Sequence, residues 1–122
     1  MPHSDVHLYR KSTGEIPLLE WLDRIPVKAR LKCIDRISRL ATLGNELRRP
    51  ESDFLRDGIY ELRASHQGVH YRILYFFCGR AVVVLSHGIT KEQAVPPKEI
   101  ERALERKQQV EENFQQYACR PE

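Results

Sequence analysis

The stretch that decides the fold is Ile59–Ser86, which reads IYELRASHQGVHYRILYFFCGRAVVVLS. Aromatic and β-branched residues fill it, and they alternate with polar residues with the period of two that is typical of half-buried strands. Turn residues interrupt the alternation at Gln67-Gly68 and again at Cys78–Arg80. The stretch therefore predicts a meander of three antiparallel strands over residues 59–64, 69–77 and 81–86.

The residues before the meander predict one strand and two helices. The strand covers Val6–Tyr9, and Pro17 suits the first position of a short helix that Pro26 interrupts. A longer helix then runs from Pro26 to a stop at Gly44. Apolar residues at intervals of three and four predict its core-facing stripe, namely Val27, Leu31, Ile34, Ile37, Leu40 and Ala41. We expect the polar residues 44–58 to form a loop.

After the meander, Pro96-Pro97 opens a C-terminal helix of about 15–20 residues. Its apolar positions are Ile100, Ala103, Leu104, Val110 and Phe114. We expect the tail from about residue 115 to residue 122 to be flexible. The order of strand, two helices, three-strand meander and helix predicts one α+β domain over residues 1–122.

Composition excludes several classes of protein. The chain has 122 residues, of which 41% are hydrophobic and 30% charged, a balance that argues against disorder. No apolar run is long enough for a membrane span, and the N-terminus lacks the pattern of a signal peptide, so we expect a cytoplasmic protein without a membrane partner. The cysteines Cys33, Cys78 and Cys119 form no CxxC pair, and the five histidines show no metal-ligand spacing. We expect neither a metal site nor a cofactor.

The first hairpin of the meander places two arginines face to face. If Gln67-Gly68 forms a two-residue turn, Arg63 lies directly opposite Arg72, and Glu61 lies on the same face of the sheet. Two like charges opposite each other repel, so an acidic partner or a bound phosphate must offset the cost. Glu61 and Glu46 are candidates for the acidic partner.

A two-residue turn in the second hairpin would place four side chains together on that arginine-bearing face. They are His70, Arg72, Leu85 and His87; a three-residue turn would reverse the third strand. The opposite face is more apolar and is predicted to pack on the helices, which leaves the arginine face open. Lys91 follows the third strand and completes a cationic cluster with Arg63, Arg72 and His87.

Such a cluster suits metal-independent RNA cleavage by the 2′-hydroxyl of the RNA itself. Histidine can act as acid or base near neutral pH, and arginine and lysine can stabilise the charged transition state. His70 would contact the RNA on the same face. Tyr60, near a strand end, is a candidate for stacking on a base, although a core position is the commoner role of such a tyrosine.

Four segments in order resemble one family of proteins. They are Tyr60–Arg63 (YELR), Tyr71–Tyr75 (YRILY), Leu85–Lys91 (LSHGITK) and Pro96–Ala103 (PPKEIERA). Together they look like the RelE/ParE toxin superfamily, in its HigB-like, phage-derived branch, over about residues 5–115. The resemblance implies a RelE-like fold, in which a small antiparallel sheet carries helices on one side, and the toxin half of a type II toxin–antitoxin pair.

The resemblance also implies an activity and roles for four residues. RelE- and HigB-like relatives enter the ribosome and cut the mRNA under translation. Arg72 matches the family arginine that contacts the scissile phosphate, and Lys91 matches a catalytic or stabilising cation. Arg63 matches a basic position, and His87 falls where HigB-like members often carry a polar catalytic group. Glu61 and Glu92 depart from the pattern, since many relatives are basic at both positions.

Three functions therefore stay open. The first is a ribosome-dependent mRNA endonuclease with mRNA and the ribosome as targets. The second is a ParE-like gyrase inhibitor without nuclease activity, and the third is a non-enzymatic module that binds RNA or protein. The resemblance implies a helix-turn-helix antitoxin as the partner in the first two cases.

Overall fold

The computed structural model describes residues 3–90 and 94–121. Its strands are β1 (Asp5–Tyr9), β2 (Ser52–Arg56), β3 (Ile59–His66), β4 (Val69–Cys78), β5 (Val82–Thr90) and β6 (Ala118–Cys119). Its helices are α1 (Pro17–Arg24), α2 (Val27–Leu43), α3 (Pro97–Glu112) and the one-turn α4 (Phe114–Tyr117), with a short 3-10 turn at Gly44–Glu46. The predicted α+β architecture is confirmed.

All six strands form one sheet in the order β2-β3-β4-β5-β1-β6. β2, β3, β4 and β5 are antiparallel neighbours, whereas β1 runs parallel to β5, with Val6 opposite Val83. The sheet is therefore mixed, and larger than the small antiparallel sheet that the resemblance implies.

Helices cover both faces of this sheet. One core cluster packs α1 and α2 against residues such as Leu62, Ile73 and Leu85. A second cluster packs α3 against the other face, where Ile100 and Ala103 meet Leu74, Phe76 and Val84. The expectation of helices on one side only is therefore wrong, and α3 covers much of the arginine-bearing face.

The two turns on either side of β3 have the same backbone conformation. Gln67 and Gly68 both have positive φ, at 52° and 79°, and so do Asp57 and Gly58, at 53° and 85°. Two successive positive φ values define the tight turns that match strand twist, and Asn, Asp and Gly adopt them at low cost. The first turn confirms the predicted hairpin. The second joins β3 to β2, so the predicted loop over residues 44–58 is wrong for Ser52–Arg56.

The second meander hairpin differs from the prediction in two ways. Its turn spans three residues, because Cys78 pairs with Val82, and a bulge at Ser86 separates Leu85 from His87. The longer turn moves Leu85 to the opposite face, where it pairs with Tyr75, which contradicts its predicted place beside Arg72. The bulge then returns His87 to the arginine face, since an extra residue reverses the alternation again.

Two further local contacts involve β6 and β5. β6 pairs with β1, with Leu8 opposite Cys119, and Ala118 is buried, so the structure places these two residues of the tail in the sheet; the flexibility of the tail stays a prediction. On β5, a Cβ added to Gly88 would lie 2.1 Å from ring atoms of Trp21, so only glycine lets this indole pack on the strand. Trp21 is buried, and its Nε1 donates to Thr90 Oγ1 at 3.2 Å.

None of the helices within the described ranges is long and apolar enough to cross a membrane.

Candidate nucleic-acid interface

A hollow of about 450 Å³ opens where β3 and β4 extend beyond β2. The structure thus places Arg63, Arg72 and His70 around one space, together with Arg36 of α2, which sequence reasoning missed. The complete lining is Arg36, Pro50, Glu51, Arg63, Ala64, Ser65, His70, Tyr71 and Arg72.

The hollow exists because β2 is too short to cover β3. The last pair between the two strands joins Ser52 to Leu62, so the remaining edge of β3 has no strand beside it. Side chains of α2 donate hydrogen bonds to the backbone carbonyls of this edge instead. Arg36 Nε donates to the Arg63 carbonyl at 3.0 Å, and Lys32 Nζ donates to the Ser65 carbonyl at 3.0 Å. Covering an edge with cations blocks further strand pairing and also concentrates positive charge there.

Arg63 and Arg72 pair directly across β3 and β4, as predicted. Glu61 lies between them and is only 2% exposed. Its Oε2 accepts from Arg63 Nε at 3.0 Å, and its Oε1 lies 3.3 Å from Arg72 Nε. The repulsion between the two arginines is therefore offset by Glu61, while Asp53, rather than Glu46, is the second carboxylate, at 3.3 Å from Arg63 Nη2.

Asp53 also binds Arg49 Nη2 at 2.8 Å, and hydrogen bonding from this guanidinium lowers the pKa of the Asp53 carboxyl. On the side of the hollow formed by α2, Glu51 lies 3.9 Å from Arg36 Nη1 and also pairs with Arg39. Every guanidinium that lines the hollow therefore has a carboxylate of the protein itself within 4 Å.

His70 supplies the imidazole among the lining residues. It follows the turn on β4, two residues before Arg72, so both side chains lie on the same face of the strand. Its side chain is exposed, which leaves it accessible to a molecule in the hollow. The structure therefore brings together three of the predicted residues, Arg63, His70 and Arg72.

His87 does not join this group. It lies on the predicted face, but it pairs with Leu74, whereas Arg72 pairs with Ile89, so the two side chains are two residues apart along that face. There α3 covers it: His87 Nε2 lies 3.1 Å from Glu99 Oε1, and its Nδ1 lies 2.7 Å from Ser86 Oγ. Burial, reinforced by the charge of Arg106, lowers the pKa of His87 to about 4.

The remaining predicted residues lie elsewhere. Tyr60 is on the opposite face, where its ring stacks on Tyr75 with centroids 5.3 Å apart and meets Phe54 edge-on at 5.2 Å. With Phe54 and two arginines, Arg48 and Arg49, it lines a second hollow of about 580 Å³. Lys91 and Glu92 lie outside the described residues, and the role of Lys91 stays a prediction.

One signal in the sequence could have found part of what was missed. Asp57-Gly58 is as strong a hairpin signal as Gln67-Gly68, and it would have predicted β2, which brings Asp53 to Arg63. Arg36 carried no such signal, because its contact with the β3 edge depends on how α2 docks.

The geometry suits a planar or tetrahedral anion. Guanidinium groups on neighbouring strands, Arg63 and Arg72, can bracket a phosphoryl group through paired hydrogen bonds, and His70 can exchange a proton beside it. Within residues 3–90 and 94–121, no group of three or more His, Cys, Asp or Glu side chains is arranged to hold a metal ion.

Comparison with known proteins agrees with this architecture. The family model described as phage-derived protein Gp49-like (DUF891) matches residues 20–108, which run from within α1 to most of α3 and include all the residues around the hollow. No curated protein matches the chain. Since the match covers well over half of the sequence, the chain belongs to the Gp49-like phage-derived family, a RelE/HigB-like toxin family of toxin–antitoxin systems.

Proposed function

We propose that this protein is a type II toxin that cuts mRNA on the ribosome, with a backbone phosphate of the message held in the hollow between β3 and β4. The observation that supports this most directly is the placement of Arg63, Arg72 and His70 around one accessible space of about 450 Å³. The toxin family of the chain supports the same function and an antitoxin as its partner. The site of action would be the cytoplasm, where ribosomes and messages are found.

Arg63 and Arg72 would bind the phosphate and stabilise the negative charge that develops on it. Glu61 would be a positioning residue, because it lies buried beneath both guanidiniums and fixes their directions. Lys91, beyond the end of β5, is proposed as a further cation.

The reaction would need only these side chains, solvent water to exchange the second proton, and the RNA. The 2′-oxygen attacks the adjacent phosphorus while its proton passes to a base, and the bond from phosphorus to the 5′-oxygen breaks as that oxygen takes a proton. The products are a 2′,3′-cyclic phosphate and a 5′-hydroxyl. His70 is the imidazole placed to move one of these protons, whereas His87 is buried against Glu99.

The test is cleavage of a defined message by purified protein with translating ribosomes, with the new 5′ ends mapped. We expect wild type to cut and Arg72→Ala to be slower by about a hundredfold or more, the usual cost of removing a donor to developing charge. Arg63→Ala, at a more exposed position, tests the same site with less risk to folding. Arg56→Ala, a partly exposed arginine of β2 outside the hollow, is the matched control and should cut normally.

An uncut message with wild-type protein would reject the nuclease. So would equal cleavage by wild type, Arg72→Ala and Arg63→Ala, provided that thermal unfolding shows all of them folded.

The carboxylates around the hollow favour a second candidate. Because Glu61, Asp53 and Glu51 already offset the arginines, the protein could act by binding alone, as a ParE-like inhibitor of gyrase does. Growth arrest with a DNA-damage response and intact messages would support this candidate over the nuclease.

A further inference from the structure

Helix α2 carries a second apolar stripe that nothing within residues 3–90 and 94–121 covers. Val27, Leu31 and Ile34 were predicted to face the core, yet they are 61%, 60% and 47% exposed. The core side of the helix is formed instead by Ala29, Cys33 and Leu40, which are buried. The prediction of a single core-facing stripe is therefore wrong, because two apolar faces share this helix.

The spacing of the exposed stripe suits helix-to-helix packing. Its members are four and then three residues apart, so they lie in line over two turns of α2. This is the spacing of the seam by which two helices interlock their side chains. Scattered exposed apolar residues are ordinary on protein surfaces, but an aligned row of large ones marks a surface for interaction.

Charge along one border of the stripe indicates the chemistry of a partner. Lys28, Lys32 and Arg39 are exposed and lie about 100–140° around the helix from Val27. Asp35 lies on the same border and Arg39 pairs with Glu51, so Lys28 and Lys32 carry most of the net positive charge of this border. An antiparallel pair of two copies of α2 would place each basic border against itself, which opposes self-association. A helix with acidic residues along its own border would be attracted.

We infer that the exposed stripe of α2 binds an amphipathic helix with an apolar face and an acidic border. The inference rests on the proposed toxin function, in which this helix belongs to the antitoxin. The basic border also includes Lys32, whose Nζ reaches the β3 edge, and it adjoins Arg36, which lines the hollow. A partner bound along α2 would therefore lie at the rim of the proposed RNA site.

The test uses two designed 21-residue helical peptides, so that it does not depend on RNA cleavage. Both carry leucines at intervals of four and three, and they differ only in having glutamates or lysines along the border. We expect fluorescence anisotropy to show binding of the glutamate peptide about tenfold tighter than that of the lysine peptide, a difference of about 1.4 kcal/mol.

Two variants locate the binding surface. Leu31→Ser should weaken binding of the glutamate peptide about tenfold or more, because it removes a large apolar contact. Leu19→Ser changes an exposed leucine of α1 outside the stripe and should leave binding unchanged. Both positions are exposed, so both variants should fold.

Equal binding of the two peptides, or equal binding by wild type and Leu31→Ser, would overturn the inference. So would sedimentation showing a dimer of wild type that Leu31→Ser abolishes, since a second copy would then be the occupant. These outcomes are independent of the cleavage assay. If the protein binds the acidic peptide but cuts no message, the inferred docking surface is supported and only the proposed nuclease activity is rejected.

Discussion

Two clusters of charged side chains lie on the same face of the sheet, yet their surroundings make them different. At the end of β3 and β4, Arg63 and Arg72 share Glu61 beside a hollow that opens to solvent. Beside the bulge of β5, His87 lies between Ser86 and Glu99 and is covered by α3. We call these the open cluster and the covered cluster.

This difference shows that residues on the same face of a sheet do not necessarily form one site. Both clusters hold a carboxylate next to basic groups, so composition does not distinguish them. What distinguishes the two clusters is whether a helix covers them, since α3 packs over Leu74 and Phe76 and its Glu99 reaches His87. The proposed binding chemistry therefore needs the open cluster, because α3 covers the other one.

The largest expected effect comes from removing the carboxylate of each cluster in turn. Glu61→Gln leaves two arginines opposed without their buried counter-charge, and we expect it to lower the free energy of unfolding by about 3–5 kcal/mol. Glu99→Gln keeps a hydrogen-bonding group beside a His87 that is neutral at pH 7, and its expected cost is about 1 kcal/mol. Urea denaturation at pH 7 measures both.

Equal stability of wild type and Glu61→Gln would show that this carboxylate does not hold the open cluster together. Equal losses in the two variants would remove the distinction between the clusters.

The next effect is a dependence of stability on pH that belongs to the covered cluster. The pKa of His87 is about 4 in the folded protein because of burial, against an ordinary value of 6.5, so the folded state disfavours protonation of this imidazole. Its contribution to stability is complete above pH 6.5 and is lost as the pH falls from 6.5 to 4, by about 3 kcal/mol in total. His87→Gln should flatten the unfolding free energy across this window.

His70→Gln is the matched control, because His70 is exposed in the open cluster. It should keep the wild-type slope of stability against pH. A slope carried by His70 rather than His87 would reverse the assignment of the two clusters.

The smallest effect concerns the salt dependence of RNA binding. If Arg63 contacts a phosphate, Arg63→Ala should reduce the slope of log affinity against log salt by about 0.7, the value for one contact with a single strand. Its cost in stability should stay below about 1 kcal/mol, since the side chain is partly exposed. Arg106 Nη1 lies 3.4 Å from Ser86 Oγ in the covered cluster. Arg106→Ala should therefore leave the slope unchanged, and titrations of a short single-stranded RNA at several salt concentrations measure both. A slope that responds to Arg106 instead would move RNA binding away from the hollow.

Predictions from the sequence were most successful where the cause was local. The Gln67-Gly68 turn fixed the register of the first hairpin, and with it the opposition of Arg63 and Arg72. The same turn chemistry at Asp57-Gly58 was visible but was interpreted as part of a loop. The second hairpin failed because a three-residue turn and a bulge at Ser86 leave weaker marks in the sequence than a two-residue turn does.

The sequence was enough to determine the α+β class, the pairing of β3 with β4 and the opposed arginines, because each depends on residues close together in the chain: alternation along the two strands, the turn between them and proline at helix starts. Tertiary structure alone decided which apolar face of α2 enters the core, how Arg36 reaches the β3 edge and which of His70 and His87 stays accessible. These depend on where helices remote in sequence pack on the sheet, and packing selects among faces that the amino-acid pattern leaves nearly equivalent.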